Sequence, residues 1–378
     1  MSLSRSAVCI VVLLLVSTAS RALDFRLADP PPFASALLIE TQTGAVLFEH
    51  HADEPRSPAS TQKLLLQLVV MDAVAAGRVA LTDSVYASAL ASRMGGSQVY
   101  LRHGEVFPLA ELMEAIVISS ANDACVAVAE HVGGSVDGFV DMMNLRADQL
   151  GLERTHCVNV HGLDDTPSGQ GNVTTARDLS RVATALLDHR QILTWSSIRY
   201  KPFRQGDFML YTTNKLLGKF PDLDGLKTGF TQRAGYCLVA TAERRDMRLI
   251  SVIMGARAER RRDQETARLL SWGFNHFTRA PIAKGGEHLG DVPLEWGVEE
   301  QVRAVTADTI LAVLTAEDRR RLKRHVELPE LYPAPVEAGD DIGDLTITLG
   351  DSLLARVDLV ADRTVARMTF WEKLMSFF

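Results

Sequence analysis

The sequence predicts an α+β protein, in which an antiparallel sheet and a helical cluster precede a small all-β domain. Residues 35–48 have the pattern of a strand, a turn and a second strand. Apolar runs with helical spacing follow as far as residue 187. From Pro281 to Asp362, short alternating runs punctuated by Gly and Pro predict strands instead. At 378 residues, the chain is long enough to bury two separate cores.

Turn and capping residues bound the elements of the first 280 residues. Pro58 and Ser60 precede a helix over 64–76. Pro108 opens another helix over 109–118, and small polar residues then separate it from the next one. The remaining predicted elements are helices over 124–131, 174–187 and 264–277, and strands over 236–240 and 249–254.

Residues 1–22 have the pattern of a signal peptide. Arg5 precedes an apolar run from Ala7 to Val16, and small residues at Ser20 and Ala22 suit a signal peptidase. The run is shorter than the roughly 20 apolar residues of a membrane-spanning helix. An uncleaved anchor or a buried helix is the alternative, but the polar, proline-rich segment that follows favours cleavage and export.

The last segment, 363–378, predicts an amphipathic helix. At about 100° per residue, its apolar side chains fall on one half of the helix and its polar side chains on the other. Such a helix is too short to span a membrane and is suited to lying in the interface. The alternative is a helix docked on the protein's own core. The apolar half consists of Met368, Phe370, Trp371, Leu374, Met375, Phe377 and Phe378.

Composition and motifs exclude several classes of function. The formal net charge is -7 and the basic residues are scattered, so no nucleic-acid partner is expected. HExxH, G-x-S-x-G and glycine-rich phosphate loops are absent, so we expect no metal, no cofactor and no α/β-hydrolase triad. Cys125, Cys157 and Cys237 would remain after cleavage, and their odd number and spacing indicate neither zinc nor a disulfide framework.

Ser60 and Lys63 form a candidate nucleophile and base at the start of the first helix. Residues three apart lie one turn apart on the same helix face, so the Lys63 amine can reach the Ser60 hydroxyl. A serine hydroxyl needs a neighbouring base, and a lysine serves as one when burial lowers its pKa. Alone, this spacing is more typical of a capping serine followed by an exposed lysine.

Two further motifs fall in settings that suit the same chemistry. Ser120 and Asn122 lie in the polar break between two helices, where a hydroxyl and an amide would face a substrate. Lys227, Thr228 and Gly229 precede two predicted strands, where they would hold a carboxylate at a sheet edge. Taken singly, the first motif is typical of a helix cap and the second of a surface hairpin.

Together, Ser-x-x-Lys, Ser-x-Asn and Lys-Thr-Gly in this order are the motif set of penicillin-binding proteins and class A β-lactamases. The chain resembles the low-molecular-weight penicillin-binding proteins of the serine-type D-alanyl-D-alanine carboxypeptidase family. Longer phrases extend the resemblance over nearly the whole chain after residue 22. They are Pro58–Leu64, Ser120–Cys125, His161–Asp164, Asp224–Thr231, Ala234–Tyr236 and Ser271–Phe274.

The resemblance implies a fold, a domain layout and a location. The fold is that of the penicillin-recognising serine transpeptidases and β-lactamases, with a small β domain appended. Residues 23–280 would form the catalytic domain, 281–362 the β-rich domain and 363–378 the membrane-anchor helix. The protein is expected to be exported and to lie peripherally on the periplasmic face of the bacterial inner membrane.

The resemblance also assigns roles in cleavage of the bond between the two terminal D-alanines of peptidoglycan stem peptides. Ser60 would form the acyl-enzyme, and β-lactam antibiotics would acylate the same serine. Lys63 would act as general base, while Ser120 and Asn122 would relay the proton and grip the peptide. Water would then release the shortened peptide.

The Lys-Thr-Gly strand would supply the rest of the site. Lys227 and Thr228 would hold the terminal carboxylate, with Gly229 allowing close approach. The N–H groups of Ser60 and Phe230 would form the oxyanion hole. Phe230 stands where some family members carry His, which leaves the rate of deacylation open.

Three rival functions remain open at this point. A class A β-lactamase needs a positioned glutamate for fast deacylation, and the region of Glu153 and Asn159 lacks the expected Glu-x-x-x-Asn spacing. An endopeptidase that cuts cross-links would use the same motifs. A tethered peptidoglycan-binding scaffold would normally have lost Ser60, Lys63 or Lys227, and all three are present.

Overall fold

Two compact units are seen in the computed structural model, which describes residues 25–164 and 171–375. Within the described residues, the larger unit comprises 25–42 and 46–275, and the smaller unit comprises 43–45 and 276–375. The predicted signal peptide, 1–22, lies outside the described residues and stays a prediction. Over the described ranges, no helix is both long enough and apolar enough to cross a bilayer.

The elements as far as residue 276 alternate between a sheet and a helical cluster. Short 3-10 turns occupy Ala59–Gln62, Ala91–Arg93 and Arg204–Gly206. The helices and strands are β1 (Ser35–Glu40), β2 (Val46–His50), α1 (Lys63–Ala75), β3 (Ser84–Tyr86), β4 (Val106–Pro108), α2 (Leu109–Ser119), α3 (Asn122–Gly133), α4 (Val136–Gln149), α5 (Ala176–Leu186), α6 (Arg190–Ser196), β5 (Tyr200–Phe203), β6 (Phe208–Tyr211), β7 (Leu223–Thr231), β8 (Gly235–Arg244), β9 (Met247–Ala256) and α7 (Glu259–His276).

Five antiparallel strands form the main sheet, in the order β2-β1-β9-β8-β7. Side chains alternate between the two faces of a strand, and both faces of the central strands are buried. Val252 belongs to the core that also contains α5, whereas the adjacent Ile253 packs with Leu269 of α7. Helices therefore cover both faces, and β7 is left as an edge strand.

Helix α1 is the centre of the helical cluster. Ten of its thirteen residues are buried, including residues on every side of the helix. A helix that is apolar all round is stable only when other elements surround it. It packs against α3, α4 and α5. This burial fixes the first turn of α1, which carries Lys63, inside the protein.

The smaller unit is a β domain built around a six-stranded sheet in the order β14-β16-β17-β12-β11-β15. A separate pair joins β10 and β13. Alternating residues such as Val302, Ala304 and Leu359 form its core. Its elements are β10 (Thr278–Ala283), β11 (His288–Glu295), β12 (Gln301–Thr306), β13 (Ile310–Leu314), α8 (Ala316–Arg321), β14 (Leu322–Glu327), β15 (Tyr332–Pro333), β16 (Asp341–Leu349), β17 (Ser352–Ala361) and α9 (Phe370–Met375).

The α+β class and the change to a β domain are confirmed, and two details differ from the sequence prediction. Strand β10 begins at Thr278, three residues before the predicted change at Pro281. The predicted helix over 363–378 is wrong for its first part, because Val365 bridges to Val336 and Arg367 to Gly297. Helix α9 begins only at Phe370, and residues 376–378 lie outside the described residues.

Candidate active site

Ser60 lies in a tight turn that leads directly into α1. The turn spans Ala59–Gln62, and Ala59 has a φ of 48°, in the left-handed region that non-glycine residues rarely adopt. The Thr61 hydroxyl donates to the Pro58 carbonyl at 2.6 Å, which closes the turn. Ser60 itself is half-buried. The turn therefore presents the Ser60 hydroxyl at the amino-terminal end of a buried helix.

The Lys63 ammonium group joins the first two motifs. Its Nζ is 2.8 Å from Ser60 Oγ, as the spacing of three residues predicts. The same Nζ is 3.1 Å from Ser120 Oγ and 2.7 Å from Asn122 Oδ1. The structure thus brings four of the predicted site residues together around one nitrogen atom.

Burial suits Lys63 to act as a base at mild pH. The side chain is fully buried, and burial lowers the pKa of Lys63 to about 8, because the charged form is poorly solvated. The nearby Asp123 carboxylate opposes this shift. Asp123 is itself buried, and it accepts hydrogen bonds from the backbone N–H groups of Val99 and Leu101. A substantial fraction of Lys63 is therefore neutral near pH 8.

The break between α2 and α3 positions Ser120 and Asn122. Ser120 ends α2 in the left-handed conformation, with a φ of 63°, so its side chain turns back towards Lys63. Asn122 begins α3, and its Nδ2 donates to the Gly95 carbonyl at 2.7 Å. Because the amide nitrogen makes this hydrogen bond, the amide oxygen is the atom that accepts a hydrogen bond from Lys63.

Strand β7 passes close to the turn of Ser60. A Cβ atom built at Gly229 would lie 2.9 Å from the backbone nitrogen of Ser60 and 3.0 Å from the carbonyl oxygen of Pro58. The first of these separations is essentially never seen for real Cβ atoms, and the second is tighter than most of their contacts. Glycine at this position therefore lets the edge of the sheet approach Ser60.

The two residues before Gly229 are buried at the same edge. Lys227 Nζ donates to the carbonyl of Thr228 at 2.9 Å. Burial first, and then the charge of Lys63, hold the pKa of Lys227 well below its usual range. An anionic ligand beside Lys227 would oppose both effects. Among the groups described here, Lys227 is therefore well suited to gain a proton when a carboxylate binds.

Phe230 lies at the exposed end of this edge. Its side chain is 47% exposed and stacks on Tyr236, with ring centroids 4.3 Å apart and an interplanar angle of 30°. Phe230 and Thr228 lie two residues apart on one strand, so their side chains share a face. The aromatic pair thus borders the part of the strand that carries the Thr228 hydroxyl.

A loop that carried no predicted role lies against the Ser60 turn, because a Cβ atom built at Gly162 would meet the Ala59 carbonyl. The Asn159 Oδ1 accepts from the N–H of Gly162 at 2.8 Å, and Asn172 Nδ2 donates to Asn159 Oδ1 at 3.1 Å. Next to it, burial and the charge of Lys63 lower the pKa of His161 to about 4. His161 is therefore neutral at physiological pH. Two asparagines on irregular backbone show no periodicity, so their spacing does not predict this support, although His161–Asp164 is one of the phrases that carry the family resemblance.

Neither a disulfide nor a metal site accompanies this arrangement in the described part of the chain. The three cysteines in the described part of the chain are buried and unpaired, and burial raises the pKa of the Cys125 thiol to about 11. Over the same residues, no group of three or more His, Cys, Asp or Glu side chains is placed to hold a metal ion.

A serine hydroxyl within hydrogen-bond distance of a buried lysine amine, with a second serine on the same amine, is the arrangement expected in a serine acyl-transfer enzyme. The family described as D-alanyl-D-alanine carboxypeptidase, peptidase S11, matches residues 32–258. Residues 277–367 match the penicillin-binding protein 5 C-terminal domain. The chain belongs to the D-alanyl-D-alanine carboxypeptidase family of serine hydrolases.

Individual relatives agree with this assignment. The chain is 32% identical over 341 residues to D-alanyl-D-alanine carboxypeptidase DacF of Bacillus subtilis, covering 89% of this chain and 86% of the relative. It is 32% identical over 352 residues to DacA of Escherichia coli K12, covering 91% and 86%. Penicillin-binding protein 5 from Haemophilus influenzae has a similar fold, with a TM-score of 0.74, 29% identity and coverage of 89% and 98%. The resemblance and fold class predicted from the sequence are confirmed.

Proposed function

We propose that the protein removes the terminal D-alanine from peptidoglycan stem peptides through an acyl-enzyme on Ser60. The observation that carries the proposal is the position of Lys63 Nζ, 2.8 Å from Ser60 Oγ and within reach of Ser120 and Asn122. The family assignment supports the reaction class, because the matching relatives are D-alanyl-D-alanine carboxypeptidases.

Acylation begins when the neutral amine of Lys63 takes the proton of the Ser60 hydroxyl. The Ser60 oxygen then forms a bond to the carbonyl carbon between the two D-alanines. Negative charge develops on the carbonyl oxygen, where the N–H groups of Ser60 and Phe230 would stabilise it. The close approach of Gly229 to the Ser60 nitrogen supports this pairing.

Breakdown of the tetrahedral intermediate needs a proton on the leaving amine. Lys63 now carries that proton, and its Nζ contacts Ser120 Oγ at 3.1 Å. Ser120 can accept one proton and donate another, so it can pass the proton to the amine of the departing D-alanine. A water molecule deprotonated by Lys63 would then hydrolyse the acyl-enzyme and restore Ser60.

Substrate binding is assigned to the edge of β7. In the described residues no strand pairs with the outer edge of β7, so an extended peptide can add to it. Lys227 and Thr228 would bind the terminal carboxylate, and Asn122 would contact the peptide backbone. The same features suit a β-lactam, which carries a carboxylate beside an acylating carbonyl. A similar structure, penicillin-binding protein D2 from Listeria monocytogenes, is 30% identical with a TM-score of 0.60 and was determined in an ampicillin-bound form.

We further propose that α9 attaches the protein to the periplasmic face of the inner membrane. Phe370, Trp371 and Met375 are exposed, as is Leu374, so the apolar side of this short helix is not covered by the described residues. Exposed aromatic residues on a terminal helix favour burial in a lipid interface. Export through residues 1–22 is the route that this location requires.

The test uses the protein from Leu23 onwards with a fluorescent penicillin. We expect a denaturation-stable adduct on Ser60 by intact mass, no adduct with Ser60→Ala, and release of D-alanine from diacetyl-Lys-D-Ala-D-Ala. Rapid loss of the adduct with turnover of penicillin would indicate a β-lactamase instead. Cleavage of cross-linked dimers without release of D-alanine would indicate an endopeptidase. Absence of any adduct would refute the assignment of Ser60.

A further inference from the structure

The segment that follows β6 is tied to the residues immediately before Ser120. The N–H of Tyr211 donates to Ser119 Oγ at 3.1 Å, and Ser119 Oγ donates to the Tyr211 carbonyl at 3.2 Å. The N–H of Thr213 donates to the carbonyl of Ile118 at 3.3 Å. The end of α2 therefore fixes the backbone around Thr213.

The same segment is also tied to β7. Buried Asn214 donates through Nδ2 to the carbonyl of Gly225 at 3.3 Å. The Thr213 Oγ1 lies 2.6 Å from Thr228 Oγ1. These contacts hold a second hydroxyl against the one that is proposed to bind the substrate carboxylate.

Two adjoining hydroxyl groups can bind an anion more strongly than one hydroxyl group can. Each has one proton and two lone pairs, so one can donate to its neighbour while the neighbour donates to the anion. A hydrogen bond to a charged acceptor is stronger than one between neutral groups, and a chain of hydrogen bonds reinforces it. Thr213 is half-buried and Thr228 is buried, so bulk water does not screen the pair fully.

We propose that Thr213 is a specificity-determining residue whose hydroxyl acts with that of Thr228 to bind the terminal carboxylate. The inference depends on the proposed function, because it assumes that the carboxylate lies beside Thr228. The inference predicts selectivity. The Thr213 hydroxyl contributes to the binding of ligands that carry a carboxylate, and it does not contribute to the binding of otherwise identical ligands that lack one.

The test compares two thioesters with the same diacetyl-Lys-D-Ala acyl group. One has thioglycolate as leaving group, which carries a carboxylate, and the other has ethanethiolate, which does not. Thr213→Val, which removes the hydroxyl at similar volume, should lower kcat/KM for the thioglycolate ester by about tenfold or more. It should change kcat/KM for the ethyl thioester by less than about twofold, because that ester offers no carboxylate to the Thr213 hydroxyl. Thr213→Ser should restore the preference for the carboxylate.

Thr212→Val is the matched control, because the Thr212 hydroxyl accepts only the N–H of Asn214 among its described contacts. It should leave the ratio of the two thioester rates unchanged. An equal loss on both thioesters with Thr213→Val would show a structural role and overturn the inference, as would no loss on either. If the wild type reacts with neither thioester, the proposed function fails as well. Reaction of the wild type with equal rates on both would overturn the carboxylate site alone.

Discussion

Gly162 lies directly against the backbone of Ala59, the residue before the candidate nucleophile. A Cβ atom built at Gly162 would be 2.0 Å from the Ala59 carbonyl oxygen, and the φ of Gly162 is +87°. Only glycine can occupy such a position without displacing its neighbour. The loop of Gly162 thus sets where the Ser60 turn can lie.

Gly162→Ala should therefore reduce both stability and acylation. Backbone strain and overpacking together should cost about 2–4 kcal/mol. Displacement of Ser60 by even an ångström should slow acylation by about a hundredfold. Thermal denaturation and the rate of labelling by a fluorescent penicillin measure the two effects.

Gly151→Ala is the control for this variant. Gly151 has a similar φ, +65°, but no atom lies within 4 Å of its built Cβ. It should lose about 1 kcal/mol from the positive φ alone and keep the wild-type acylation rate. Equal acylation rates in Gly162→Ala and Gly151→Ala would contradict a role for Gly162 in positioning Ser60.

The pH dependence of acylation should report the state of Lys63. The base must be neutral to take the Ser60 proton, and burial lowers the pKa of Lys63 to about 8. The rate should therefore rise with pH and reach half of its plateau near pH 8. Below pH 7 it should fall about tenfold per pH unit, since the neutral fraction falls in that proportion. Stopped-flow labelling between pH 5.5 and about 9.5 measures this, and a flat profile would exclude Lys63 as the base.

Asp123→Asn should shift the acidic limb of this profile, the part in which the acylation rate falls as Lys63 is protonated, to lower pH. The Asp123 carboxylate raises the pKa of Lys63, so loss of its charge leaves more Lys63 neutral at a given pH. Stability should fall by about 1–3 kcal/mol, because an Asn side chain has one oxygen fewer to accept the buried N–H groups. The same pH series on the variant, with thermal denaturation, measures both changes.

Asp178→Asn separates the two effects. Asp178 is also buried and accepts from the Thr155 hydroxyl at 2.9 Å, but it has no resolved influence on Lys63. This variant should lose stability and keep the acidic limb of the wild type. A limb that moves equally in both variants would mean that general loosening, and not the charge of Asp123, controls Lys63.

The local parts of the site could be predicted from the sequence, whereas its tertiary parts could not. Ser60 and Lys63 are three residues apart on one helix, so their contact follows from helix geometry alone. The burial that lowers the pKa of Lys63 depends on distant parts of the chain, because the break between α2 and α3 lies against its amine. Thr213 meets Thr228, 15 residues along the chain, because the irregular segment 212–222 returns to β7, and no periodic pattern encodes that path.

The same distinction explains what the sequence showed of the fold. Strands β8 and β9 are long, apolar and separated by a charged turn, so their pattern predicts them directly. The sequence predicts a terminal helix that begins too early, because the apolar residues of the segment 363–378 have helical periodicity. The pairing of Val365 with Val336 overrides that local pattern, since Val365 belongs to the core of the β domain.

Removal of residues 370–378 should release the protein from membranes and leave hydrolysis intact. The residues before Phe370 complete the β domain: Val365 is 1% exposed and exchanges backbone hydrogen bonds with Val336. A chain that ends at Thr369 keeps these contacts and loses the exposed aromatic residues of α9. We expect it to stay in solution when vesicles of phosphatidylethanolamine and phosphatidylglycerol are sedimented, whereas the longer chain sediments with them.

A chain that ends at Asp362 provides the contrast, because it also loses Val365. Deletion of a buried valine and its backbone pairing should destabilise the β domain by about 2–4 kcal/mol, which the thermal transition of that unit would show. If the chain that ends at Asp362 is released from vesicles but the chain that ends at Thr369 is not, the β domain, and not α9, contacts lipid. Sedimentation of the chain ending at Thr369 with vesicles would exclude α9 as the anchor, because the exposed apolar side chains that favour the interface are then gone.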